Sequence, residues 1–340
     1  MSIYRGPSGR AISSAANSTE IDPPVATALE PEARALLDRL ALPPGTPGLA
    51  TLNPAAARRA YRDARLPLVG PAVDVSQVID IPAAGEVPAL RIYRPLAPAG
   101  HPLSMIFLHG GGWTLGDLET YDSLCRRLAN RFGADLIWVS YRLAPEHPYP
   151  VPLEDSLAAC RWVMAHAEDL QIDRHRIVIA GDSAGANLAA VAALSNRQGE
   201  LGARFLAQLL IYPCLDLTAQ LPSHRQLATG YLLTKEIYDW YLANYIAEAD
   251  PADWRLSPLF ARDLTGLCPT ISLYAGFDPL RDEAIAFHGR LREAGLVARQ
   301  IAFPGMIHGF INMAGVLPQA QAAVEQLHSS LIEALRPADL

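Results

Sequence analysis

Arg176-Ile177-Val178-Ile179-Ala180 runs directly into Gly181-Asp182-Ser183-Ala184-Gly185 and then into Ala186-Asn187-Leu188-Ala189-Ala190. A β-branched run, a Gly-x-Ser-x-Gly turn and a helix-forming stretch, in that order, describe a strand that bends sharply into a helix with serine at the bend. Glycine on either side removes Cβ atoms that so tight a turn could not hold. The serine hydroxyl then projects beyond the carboxyl end of a sheet, where open α/β sheets bind ligands. Covalent acyl transfer is the chemistry such a serine serves. Taken alone, the pentapeptide also fits an ordinary glycine-rich turn, so its partners have to come from the rest of the chain.

Outward from that turn, strand and helix patterns alternate. Val73 to Ile81 and Leu90 to Tyr93 read as an opening antiparallel pair. Ser104 to Leu108, Ala134 to Tyr141, Arg176 to Ala180, Ala207 to Tyr212, Thr270 to Ala275 and Ala298 to Phe303 read as further strands, Ser104 to Leu108 being the buried kind that parallel sheets use. Helical patterns fall at Thr120 to Arg131, Pro152 to Ala167, Ala184 to Arg197, Pro279 to Ala294 and Pro318 to Leu335. The fold class expected is α/β, with a mostly parallel central sheet flanked by helices. Before the strands, residues 1 to about 25 mix Ser, Gly, Pro and Asn and read as draped over the surface. Pro24 to Leu40 and Asn53 to Asp63 carry helical spacing. Between Tyr212 and Thr270 lies a long stretch without a strand pattern, in which Thr234 to Glu248 is helical and holds Ile237, Tyr238, Trp240, Tyr241, Tyr245 and Ile246. An insertion of that length usually forms a functional lid. Its aromatic residues would either line an acyl pocket or pack the insertion onto the core.

The 340 residues are half hydrophobic and 19% charged, a globular balance. A net charge of −7 without a Lys/Arg cluster argues against nucleic acid or anionic lipid as a partner. No h-region opens the chain and no long apolar run follows, so no signal peptide or membrane span is expected and a cytoplasmic location is the default. Cys125, Cys160, Cys214 and Cys268 are far apart and form no Cys-x-x-Cys pair, which favours buried thiols over metal or redox roles.

Serine at neutral pH needs a base, and the base needs an orienting carboxylate. Asp278 follows the Thr270–Ala275 strand through Gly276-Phe277 and precedes Pro279, which puts a carboxylate on the same sheet edge as Ser183. A helix N-cap is the other role open to it. Asp282 and Glu283 compete but fall within the following helix. His308, in Gly305-Met306-Ile307-His308-Gly309, follows the last strand, with glycines that permit a turn toward the site. His101, His166, His288 and His328 read instead as strand-flanking, helical or C-terminal. His109-Gly110-Gly111-Gly112-Trp113, directly after a strand, bares backbone N–H groups that could hold a developing oxyanion. A phosphate loop is a weak reading, because no Gly-Lys-Ser/Thr follows. Glu154 could steady the serine turn or be a solvated helix residue, and Asp182 could fix the turn through backbone hydrogen bonds.

Together, His109 to Trp113, Tyr141-Arg142-Leu143-Ala144-Pro145-Glu146-His147-Pro148-Tyr149-Pro150, Gly181 to Gly185, Asp278-Pro279-Leu280-Arg281-Asp282-Glu283 and His308-Gly309-Phe310 resemble the bacterial hormone-sensitive-lipase-like carboxylesterases of the α/β-hydrolase fold. The resemblance runs from about residue 70 to the C-terminus, while the first seventy residues carry no matching motif. It implies a serine esterase of short- to medium-chain esters with Ser183 as nucleophile, Asp278 as acid, His308 as base, and an oxyanion hole from Gly111, Gly112 and Ala184. It implies no metal or organic cofactor, and a small-molecule ester as the binding partner; a homo-oligomer is left open. It also implies a helical cap, giving residues 1–65 as an N-terminal cap segment, 66–212 and 266–340 as the two parts of the core, and 213–265 as a cap insertion. An amidase or deacetylase would use the same three residues. A binding protein resembling the plant gibberellin receptors would lack the histidine, and a haloalkane or epoxide hydrolase would carry a carboxylate nucleophile.

Overall fold

The computed structural model describes residues 4–5, 11–12, 28–43, 45–100 and 103–336. Most of the stretch expected to drape the surface, the first turn expected for the Pro24–Leu40 helix, and His101 lie outside the described residues. Strands β1 (Tyr4–Arg5) and β2 (Ala11–Ile12) form a short antiparallel ladder that the sequence reading did not anticipate.

The apolar runs become a single eight-stranded sheet. Its strands are β3 (Gln77–Ile81), β4 (Ala89–Arg94), β5 (Ser104–Leu108), β6 (Asp135–Ser140), β7 (Ile177–Asp182), β8 (Ala207–Ile211), β9 (Thr270–Phe277) and β10 (Ala298–Ile307), in the order β10-β9-β8-β7-β5-β6-β4-β3. β4 pairs antiparallel with both β3 and β6, and all other neighbours are parallel. β5 and β7 are buried along their whole length, because helices cover both faces. Successive side chains alternate between those faces. Ile106, Leu108, Ile177 and Ile179 point into one core with α4 (Val151–Ala165), α5 (Ala184–Ser195) and α8 (Arg281–Glu293). Met105, Phe107, Val178 and Ala180 point into the other, with α3 (Leu118–Phe132) and α9 (Gln319–Ala334). Each such Ile, Leu or Phe removed from water is worth about 1.5–3 kcal/mol.

α5 is buried from Ala184 through Leu194. Its small residues let it lie close against the sheet: a Cβ on Gly185 would stand 2.0 Å from the Leu108 carbonyl oxygen. Outside this frame are α1 (Pro31–Leu40), α2 (Pro54–Arg65), α6 (Pro222–Gln226) and α7 (Lys235–Tyr245). α1 starts at Pro31, later than the spacing predicts, since proline suits the first helical position. β10 runs to Ile307 rather than ending at Phe303, with a register irregularity between Phe303 and Ile307. Gly305 therefore lies in extended strand and is not part of the turn that aims His308. Its carbonyl instead accepts the Glu30 N–H at 2.9 Å. Among the described residues no helix is long and apolar enough to cross a membrane.

Candidate active site

Parallel strands bring their carboxyl ends to one edge of the sheet, and four sequence motifs meet there. Ser183 follows β7, Asp278 follows β9, His308 follows β10, and the His109–Trp113 loop follows β5. Ser183 has φ 54° and ψ −120°, a conformation that costs a non-glycine residue about 1–3 kcal/mol and that the surrounding fold must hold.

The Ser183 hydroxyl lies 2.9 Å from His308 Nε2, and His308 Nδ1 lies 2.7 Å from Asp278 Oδ2. With Asp278 ionised, the consistent proton assignment has Nδ1–H donating to the carboxylate and Nε2 accepting from serine. Asp278 is fully buried. Its Oδ1 accepts the Leu280 N–H at 2.9 Å, and α8 begins at Arg281 with Leu280 in the cap position. Asp278 is therefore not the N-cap of α8; it steadies the turn ahead of the helix while its second oxygen faces the imidazole. Of its competitors, Asp282 accepts the Ser223 N–H at 2.9 Å, and Glu283 is buried against the N–H groups of Leu215 and Asp216 and the His224 ring. Neither faces His308.

Gly111, Gly112 and Ser183 line one cavity of about 610 Å³ together with His308. Among the described residues, no protein acceptor engages the Gly111 or Gly112 N–H. Ala184, the first residue of α5, has an N–H with no partner inside its helix. Gly111 and Gly112 thus line the cavity that holds Ser183, and Ala184 directly follows the serine at the start of α5. Gly112 (φ 58°) is required on two grounds: its backbone is left-handed, and an added Cβ would sit 2.1 Å from ring atoms of Tyr241.

Asp182 holds the loop to the turn, and does so by its side chain. Its Oδ1 accepts the Gly110 N–H at 2.7 Å, and its Oδ2 accepts the hydroxyls of Tyr121 and Tyr212 at 3.1 and 3.3 Å. Burial pushes its carboxyl up to about 6, opposed by these same hydrogen bonds. The folded state thus binds this proton more tightly than the unfolded chain, for which the ordinary value is 3.8. Stability attributable to Asp182 should accordingly decline as pH rises from about 4 to about 6 and stay level above, by on the order of 3 kcal/mol. Unfolding midpoints of the wild type and Asp182→Asn across that range check this: their difference should vary with pH in that direction, and a constant difference would refute it.

His109 is neutral at ordinary pH, since burial lowers it to about 4. It stacks on Tyr141 (4.3 Å between centroids) and supports the loop from beneath. Arg58 of α2 ties the N-terminal part to this region, donating to Thr114 O at 2.9 Å, Ala144 O at 2.8 Å and Glu146 Oε1 at 2.9 Å. Glu154 is exposed and does not touch the serine turn; Asp155 is the buried neighbour, bound to Arg142.

α7 resolves the two readings of its aromatic residues by face. Ile237 and Tyr241, one turn apart, line the cavity. Tyr238 and Tyr245 are buried in the core, Tyr245 stacking on Trp113 at 4.1 Å. The opposite wall comes from the N-terminal part, including Leu37, Leu49, Tyr61 and Arg65. No motif announced these residues. Cys125, Cys160 and Cys214 are buried, Cys268 is partly so, and all four are free thiols.

Comparison with known proteins agrees with the geometry. A family model described as alpha/beta hydrolase fold matches residues 105–312. The chain is 41% identical over 296 residues to carboxylic ester hydrolase LipN of Mycobacterium tuberculosis, covering 84% of this chain and 78% of that protein. It is 34% identical over 284 residues to ethyl acetate hydrolase of Pseudomonas putida, covering 81% and 88%. Among solved structures, an ester hydrolase from the metagenome of Lake Arreo superposes with a TM-score of 0.84 at 40% identity, covering 89% of this chain and 98% of that one.

Proposed function

The chain belongs to the α/β-hydrolase fold family, among its hormone-sensitive-lipase-like carboxylesterases, and we propose that its ester hydrolysis runs through Ser183 as nucleophile, His308 as base and Asp278 as orienting acid. The observation that supports this assignment is the unbroken hydrogen-bonded row from Ser183 Oγ through both nitrogens of His308 to a fully buried carboxylate. Ser183 Oγ attacks the ester carbonyl as Nε2 takes its proton. Asp278 keeps the imidazole in the right tautomer and stabilises its charged form. The N–H groups of Gly111, Gly112 and Ala184 receive the negative oxygen, where one donor is typically worth about 2.7–4 kcal/mol of barrier. His308 then gives the proton to the departing alcohol. Water, deprotonated by the same ring, opens the acyl-enzyme and releases the acid.

The described part of residues 1–65 and residues 213–265 act, on this reading, as two cap segments over the site, since both supply cavity wall. A half-closed, mainly apolar cavity of about 610 Å³ suits short- to medium-chain acyl groups. Free thiols fit a reducing, cytoplasmic setting. Rates on p-nitrophenyl esters from acetate to palmitate, beside matched anilides, test the assignment. Turnover should peak in the short to medium range, with an initial burst of nitrophenol and much slower anilide cleavage. Binding without a burst would point to a receptor, and faster anilide cleavage to an amidase.

A further inference from the structure

Arg65, at the end of α2, turns its guanidinium into the same cavity that holds Ser183 and His308. A Cβ built on Gly309, the residue after the base, would lie 3.6 and 3.8 Å from Arg65 Nη2 and Nη1. Nη1 is shut off from solvent and has no hydrogen-bond partner. Among the described residues no ion pair or hydrogen bond engages any part of this side chain; the Tyr61 ring stands 5.1 Å from it, and Tyr121, Tyr212 and Tyr241 are also close enough to act on its charge. Two carboxylates also face the cavity. Asp182 is already bound to Gly110, Tyr121 and Tyr212, and Glu236 lies exposed on α7. Asn312 Oδ1 is buried and unpaired too, but its amide is anchored to Thr120 O at 3.0 Å and makes no bond to Arg65.

An arginine stays charged at any working pH, and although Arg65 is only half-buried, its Nη1 has neither solvent contact nor a partner, which is costly for a charged group. A cation–π contact offsets only part of that cost. A carboxylate is the group that matches a guanidinium in charge and in its planar, forked donors. We propose that Arg65 is the specificity residue of this cavity and selects esters that carry a free carboxylate away from the scissile bond. The proposal rests on the ester-hydrolase reading and names its substrate class. Arg65 binds the distal anion, the oxyanion donors bind the reacting carbonyl, and the two anchors fix the ester across Ser183.

The test compares two matched pairs on the wild type, Arg65→Met and Arg65→Lys: monoethyl adipate with ethyl hexanoate, and 4-acetoxybutanoate with butyl acetate. The first pair places the carboxylate on the acyl side, the second on the alcohol side. In at least one pair, the charged-to-neutral ratio of kcat/KM should fall about 10- to 100-fold in Arg65→Met, the range a charge-assisted hydrogen bond supplies, with Arg65→Lys in between. Ratios that stay within about threefold for both pairs overturn the proposal. The neutral esters report on the hydrolase reading by itself: if the wild type cleaves neither, that reading fails. Calorimetric titration of adipate into the wild type and Arg65→Met then still reads the cation, and equal affinities would refute it.

Discussion

Ser183→Ala is expected to lower kcat on a p-nitrophenyl ester by about 10⁶-fold, the size of effect seen when a triad nucleophile is removed. No neighbouring group can substitute. Asp182 is committed to the Gly110 N–H and two tyrosine hydroxyls, and the buried cysteine thiols are pushed up by desolvation, which leaves them protonated and unreactive. The variant should fold normally, because Ser183 makes its structural contribution through its backbone: its N–H donates to Ile211 O at 2.9 Å and its carbonyl accepts from Asn187 at 3.1 Å. Steady-state kinetics beside a thermal melt decide the matter. Turnover within tenfold of the wild type would remove Ser183 from the mechanism; a collapsed melt would make the loss uninformative and call for Ser183→Cys.

Asp278→Asn should cost about 10⁴-fold in kcat, and the local hydrogen bonds say why. One carboxylate oxygen accepts the Leu280 N–H and the other faces His308 Nδ1. An asparagine must keep its carbonyl oxygen toward Leu280, which turns its NH₂ toward the ring. Nδ1 then has to accept, the proton moves to Nε2, and the ring presents a donor to Ser183 when an acceptor is needed. The measurement is kcat on the same ester. A loss below tenfold would mean that Asp278 does not set the tautomer, and Glu283 or Asp282 would have to be reconsidered despite their distance from the ring.

Much of this site was legible because its parts sit at predictable places in a parallel sheet. A buried strand followed at once by Gly-x-Ser-x-Gly, by Gly-Phe-Asp or by three glycines places each group on the same edge, whatever the loops do. What stayed illegible depends on contacts between distant segments. The direction of the Asp182 side chain follows from Gly110, 72 positions away, and nothing in its own neighbourhood encodes that. Glu154 and Asp155 are adjacent on one helix, and burial of the second rather than the first is a matter of helix rotation by one residue. Of the six apolar residues singled out between Thr234 and Glu248, the fold divides four, Ile237 and Tyr241 to the cavity and Tyr238 and Tyr245 to the core. Gly305 looked like a turn residue, yet the strand continues through it because the N-terminal segment pairs with its carbonyl.

The two walls of the cavity come from stretches of chain that contribute no strand to the eight-stranded sheet, whereas Ser183, Asp278 and His308 all stand on its edge. Inheritance can therefore act on the two separately. Substitutions near Leu37, Leu49, Tyr61 or Ile237 would retune which molecules are admitted while leaving bond-breaking untouched, so descendants of one ancestral hydrolase could diversify in diet without reinventing their chemistry.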